Sequence, residues 1–198
     1  MINLRNITPL ASSAAMLPGH ELRFNIPGLV GIEPSSASVE PVNREMDAFD
    51  KSHVVHGTLY KLSERDFETI CSTEGVPFAY TLHRCRVVPY IGDGKKAGEE
   101  CLQKLLGSDG DTRANLQSLD EVGIPAFTLR AARKEWRSSK DTPPSQSYLN
   151  VLIRGAVEFQ MDCDYVAMLK NIKPGKTLIG NGLAEQSLKW AEQRQRKL

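Results

Sequence analysis

The chain has 198 residues, 40% apolar and 25% charged, with a formal net charge of +1. That length suits one domain with room for a hydrophobic core. The near-neutral balance gives no field to gather nucleic acid or acidic lipid, and no apolar run is long enough to cross a bilayer as a helix.

The N-terminal stretch "MINLRNITPLASSAAML" lacks the apolar segment of a secretory signal. "GHELRFNI", 19–26, alternates Leu22, Phe24 and Ile26 and predicts a strand. The Pro/Gly/Ser-rich run after it predicts a loop with a short strand near 36–40. "SHVVHGTLYKL" predicts a buried strand over 53–61, with Gly57 inside it as a mark of close backbone approach or a bulge. Ser63 is placed to cap a helix, with Asp66 three residues on and Leu62 able to staple to Phe67. Phe67, Ile70 and Cys71 then form a buried stripe, and Glu74 is its next member. Gly75 can stop the helix in the left-handed conformation.

"YTLHRCRVVPYI", 80–91, predicts a second β-branched strand. Residues 92–123 are polar and read as a surface insertion, with a "GDGKK" turn at its start and one short helix over 97–106. "IPAFTLRAA", 124–132, returns to strand. Tyr148, Val151, Leu152, Gly155 and Phe159 share one helical face; Tyr165, Met168, Leu169 and Ile172 share another. A basic helix over 183–198 closes a single domain spanning 1–198.

Few motifs carry chemistry. His53 and His56 form H-x-x-H, but strand geometry turns them to opposite faces, so no metal pair is expected. "PGKT" at 174–177 lacks the first glycine and the preceding strand of a phosphate loop. The cysteines Cys71, Cys85, Cys101 and Cys163 are too widely spaced for a zinc knuckle or a C-x-x-C pair. They suit a reduced, cytoplasmic protein. Glu74 is different. A carboxylate kept among apolar groups resists ionising, and a base poised near the working pH can take a proton and return it. Tyr148 opens its helix after a Pro-Pro-Ser loop, as either a core residue or a hydroxyl aimed into a pocket.

"VVHGTLYKLSERDFETICSTEGVPFAYTLHRCRV" resembles the central segment of the γ-glutamyl cyclotransferases: a strand carrying Gly, two hydrophobic positions and an aromatic, a helix, a Glu-Gly pair, and a Tyr-bearing strand. "PPSQSYLNVLIRGAVEFQMDCDYVAMLKNIKP" resembles their C-terminal Pro-Ser-x-x-Tyr segment. "LPGHELRFNIPGLVGIEPSSASVEP" is similar to the N-terminal strands of the fungal and plant branch. The resemblance implies a mixed α/β (α+β) domain in which a small barrel-like mixed sheet carries helices around one pocket. It implies release of 5-oxoproline from a γ-glutamyl compound, without metal or cofactor. Glu74 becomes the catalytic acid/base, and Tyr148, Gly57 and Tyr80 become substrate-binding positions. The expected partner is a small γ-glutamyl molecule, not nucleic acid or membrane, and a homodimer is left open. The family's Tyr-Gly-Ser-Asn loop is not among these 198 residues; Met1 aligns at or just beyond its end. A pocket that binds without turnover, or one that performs a cyclisation in secondary metabolism, is the alternative.

Overall fold

The small residues of 11–18 organise the sheet. In the computed structural model, which describes residues 7–29, 32–42, 53–92, 96–106 and 123–177, this run is β1 (Ala11–Pro18). No alternation marks it in the sequence, because both its faces are buried and a doubly buried strand reads as one continuous run. Ala14 packs with Ala156, Met161 and Leu169 on one side. Ala15 and Leu17 pack with Val55 and Val87 on the other. Met16 is fully buried, a burial that contributes roughly 1.5–3 kcal/mol.

The strands β2 (His20–Leu29), β3 (Glu33–Pro41), β4 (Val54–Lys61), β5 (Tyr80–Pro89) and β6 (Ile124–Ala131) follow in the chain. A four-stranded sheet runs β4-β1-β5-β6, and β2 and β3 form a second, two-stranded sheet. Every described pairing is antiparallel, where a mixed sheet was expected. β1 pairs with β4 along its whole length, from Ala11 opposite Lys61 to Pro18 opposite Val54. Leu22 and Val39 of the hairpin cover the Ala15–Leu17–Val55–Val87 cluster, so the larger sheet curls over the hairpin as a half-barrel. The fold class is therefore the expected α+β one.

Helices α1 (Glu64–Thr73), α2 (Ala97–Leu106), α3 (Gln146–Glu158) and α4 (Cys163–Asn171) surround the sheet. None of the described helices is long and apolar enough to cross a membrane. Ser63 caps α1 as expected, its hydroxyl accepting from Asp66 N–H at 3.2 Å.

Several expectations are corrected. The loop after residue 26 is mostly strand, because β2 continues to Leu29 and β3 starts at Glu33. β4 is buried only at Val54 and Val55; its later residues are half-buried because they border a cavity. The α1 stripe is half-buried, with Ile70 bordering the same cavity, and no α1 residue is fully buried. Met168 is exposed, unlike Leu169 one position on. The helix of the supposed surface insertion is docked, with Ala97 and Cys101 buried. "PGKT" has a packing reason for its glycine: a Cβ at Gly175 would meet the Pro143 carbonyl oxygen at 2.5 Å. The turn residues 93–95, the insertion residues 107–122 and the C-terminal helix over 183–198 lie outside the described residues.

Candidate active site

The stop of α1 determines where Glu74 points. Glu74 is the C-cap of α1, at φ −89° and ψ −1°, and its N–H reaches Ile70 C=O at 2.9 Å. Gly75 follows at φ +70°. Its N–H bonds Ser72 C=O at 3.1 Å, and Val76 N–H bonds Cys71 C=O at 2.9 Å. These are the two bonds of a Schellman stop. They hold the Glu74 backbone in one orientation, and Glu74 with Ile70 joins the wall of a cavity of about 720 Å³. Phe67, one turn before Ile70, packs on Phe127 of the cavity lining, with ring centroids 5.9 Å apart.

Gly57 lies on the same cavity wall, on β4 opposite Ala15. A Cβ there would meet no atom within 4 Å, so its missing side chain is open space. Gly155 of α3 also borders the cavity with open space at its Cβ position. Leu22, Val39, Val55, Leu59 and Val87 give the cavity an apolar floor.

Tyr148 stands on the first turn of α3, half-buried, with its ring edge-to-face against Phe24 at 6.5 Å. Its hydroxyl oxygen accepts Ala37 N–H from β3 at 3.2 Å. Burial pushes the Tyr148 hydroxyl pKa up, the Ala37 bond pulls it down, and the charges of Glu33 and Glu74 push it up further. Tyr80, at the start of β5, is raised by burial, then by Tyr148 and Glu74. Glu74, Tyr80 and Tyr148 therefore sense one another, though they come from a helix end, a strand start and a helix start. Of the four residues named from the sequence, Glu74 and Gly57 line the cavity, whereas Tyr80 and Tyr148 are not among its lining residues and are linked to Glu74 only through its charge.

Other groups were not foreseen. His56 lines the cavity, stacked on Tyr165 with centroids 4.4 Å apart, and its Nδ1 pairs with the Tyr90 hydroxyl. Burial lowers its pKa against the opposing pull of Asp162. Buried Glu40 accepts from Arg130 and Arg137, each at 2.6 Å. Arg154, exposed on α3, borders the cavity beside Gly155. The spacing Arg154–Gly155 on the face that carries Val151 was the available signal for it.

No protein-family model matches the chain. The γ-glutamyl cyclotransferase gliK of Claviceps purpurea (strain 20.1) is 30% identical over 164 residues, 83% of this chain. The chain spans 60% of the length of that curated relative. A solved γ-glutamyl cyclotransferase structure superposes with a TM-score of 0.59 at 15% identity, covering 97% of this chain and 90% of the other. An uncharacterized human protein, loc79017, superposes at 0.60 with 16% identity, over 96% and 89% of the two chains. At such identities the solved structures speak to the fold. In sequence the chain is similar to a γ-glutamyl cyclotransferase, and its fold is that of a solved γ-glutamyl cyclotransferase structure.

Proposed function

We propose that the protein releases 5-oxoproline from a γ-glutamyl compound, either glutathione-derived or a glutathione conjugate. The observation that carries this is Glu74 on the wall of a cavity of about 720 Å³, which it shares with Gly57 and an apolar lining. The substrate supplies both nucleophile and electrophile. Its α-ammonium gives a proton to the Glu74 carboxylate, and the freed amine attacks the γ-carbonyl carbon. A five-membered lactam forms as Glu74 returns that proton to the leaving nitrogen and the bond to it breaks; the ring nitrogen then gives its second proton to the Glu74 carboxylate, which passes it to the departing amine, released as an ammonium. Holding the glutamyl chain folded is the main task, since an intramolecular attack gains its rate from a near-attack shape. The Tyr148 hydroxyl offers a donor to a substrate oxygen, Tyr80 borders the same end, and Gly57 leaves backbone bare against the ligand.

The four cysteines are free thiols, in keeping with a reduced, cytoplasmic setting. The name of the Claviceps relative supports the reaction class. The apolar cavity floor favours a leaving amine with an apolar part. Incubation with glutathione and γ-glutamyl dipeptides, reading 5-oxoproline, tests the activity. Glu74→Gln lowers turnover by about 10²–10⁴-fold or more while the protein stays folded. Full activity in that variant would refute the mechanism. If the wild type binds 5-oxoproline in a calorimeter but forms none, the pocket is a binding site.

A further inference from the structure

The first turn of α3 is gripped by one strand. Three alternate residues of β3, Glu33, Ser35 and Ala37, reach it or the loop that leads into it. Glu33 accepts Ser145 N–H at 2.8 Å on one carboxylate oxygen and the Ser145 hydroxyl on the other. Ser35 donates to Thr142 C=O at 2.5 Å. Ala37 N–H donates to the Tyr148 hydroxyl at 3.2 Å.

The protons on Ser145 can be assigned. Its hydroxyl hydrogen goes to Glu33, because a carboxylate only accepts. The Ser145 oxygen then accepts Tyr148 N–H at 3.1 Å and the Ser147 hydroxyl at 3.0 Å. Ser145 and Ser147 are both buried, so neither can turn to water instead. Ser145 alone would suffice as an N-cap. The carboxylate adds two things: it fixes the hydroxyl rotor, and it pairs the backbone N–H of the capping residue itself. At the other end of the side chain, the Tyr148 oxygen accepts Ala37 N–H, so the hydroxyl hydrogen is directed away from that amide.

We propose that Glu33 is the positioning residue for Tyr148: by holding Ser145 against β3, it sets the first turn of α3 so that the tyrosine oxygen meets Ala37 N–H and its proton is left for a substrate oxygen. Glu33 touches no substrate in this scheme. The negative charge of Glu33 also acts on Tyr148 in the direction that keeps its hydroxyl protonated.

The Ala37 amide resonance in a ¹H–¹⁵N spectrum of the full chain reports the aim directly. Tyr148→Phe removes its acceptor and sets the reference shift. Glu33→Ala moves the Ala37 amide at least about half as far in the same direction. Glu33→Gln, which keeps an acceptor for Ser145 N–H, moves it less but measurably, and it carries the test if the alanine variant fails to fold. An Ala37 amide at its wild-type position in either folded variant would overturn the proposal. The kinetic arm rests on the cyclotransferase reading. Glu33→Ala raises KM for a γ-glutamyl dipeptide about tenfold with a smaller change in kcat. It adds nothing further in the Tyr148→Phe background. Fully additive losses would reduce Glu33 to a stability residue. A wild type that forms no 5-oxoproline would sink the proposed activity, and the amide shift would still decide the role of Glu33.

Discussion

Gly75→Ala strikes the point where the chain both ends α1 and aims Glu74. The residue sits at φ +70°, and an L side chain in that region costs roughly 1–2 kcal/mol. The added Cβ would lie 3.1 Å from the Ala79 Cβ, closer than ordinary contact. Ala79 cannot recede freely, because its N–H is bonded to Gly75 C=O at 2.8 Å and its C=O to Ala132 N–H at 3.1 Å. Together these terms come to about 2 kcal/mol. For a chain of this size that lowers the melting temperature by roughly 4–8 °C. Turnover falls as well, by about tenfold, because relaxing the strain rotates the Glu74 backbone away from its near-attack position. Gly75→Asn is the matched control: it adds the same Cβ but tolerates positive φ better, so it recovers part of the loss. The assay is thermal melting with 5-oxoproline release measured on the same samples. An alanine variant that melts within 1 °C or so of wild type and turns over normally would show that the helix stop does not position Glu74.

Gly57→Val is expected to leave the fold intact or slightly firmer, since a β-branched residue suits a strand and its Cβ meets open space. The new methyl groups enter the cavity, so 5-oxoproline release falls by about tenfold or more; undiminished release would remove Gly57 from the ligand wall. pH dependence has a definite sign. Burial lowers the pKa of His56 in the folded protein, so its stabilising share is fully present above the unfolded value near 6.5 and is lost as pH falls below it. Urea midpoints between pH 7.5 and 5.5 decline by no more than about 1.4 kcal/mol per pH unit from this group. His56→Gln flattens that decline, and an unchanged slope in the variant would assign it elsewhere. His83 is lowered in the same direction, by burial and then by Arg130, so part of the slope survives the substitution.

What the sequence shows and hides follows from the range of each interaction. The α1 cap and stop are local: Ser63 and Gly75 flank one helix, and the cap bond from Asp66 N–H and the left-handed stop are both found where expected. Glu74 was legible because its stripe has a fixed period. Tyr148 was legible as a helix-start residue, but Glu33 was not, since it meets Ser145 across 112 positions. Glu40 likewise meets Arg130 and Arg137 across 90 and 97 positions. No spacing rule reaches so far. β1 was hidden for another reason: small residues packed on both faces erase the alternation that marks a half-buried strand. β3 was read too short because Pro34, Ser35 and Ser36 suggest a turn, whereas pairing with β2 keeps them extended.

The docked helix α2 shows how a polar composition can mislead, and it can be tested. Asp162 is the residue before α4 but makes no capping bond there. Its carboxylate instead accepts Gly98 N–H at 2.9 Å and Glu99 N–H at 2.8 Å, capping α2 from another element. Its own N–H bonds the Tyr90 hydroxyl at 3.1 Å. Gly98 must be bare, since a Cβ would come within 2.5 Å of the Tyr90 ring. A hydrogen bond to a charged group contributes about 1.5–3 kcal/mol, and losing the acceptor leaves two N–H groups with poor access to water. Asp162→Ala therefore weakens the docking of α2 by about 3 kcal/mol, and Asp162→Asn, which keeps one acceptor, by about half of that. Because the loss falls on one element, hydrogen exchange locates it: the amides of 98–103 lose protection, while those of β1, buried on both faces, hold theirs. Were 92–123 only a surface insertion, removing Asp162 would leave exchange in 98–103 unchanged, and that result would return the helix to the periphery.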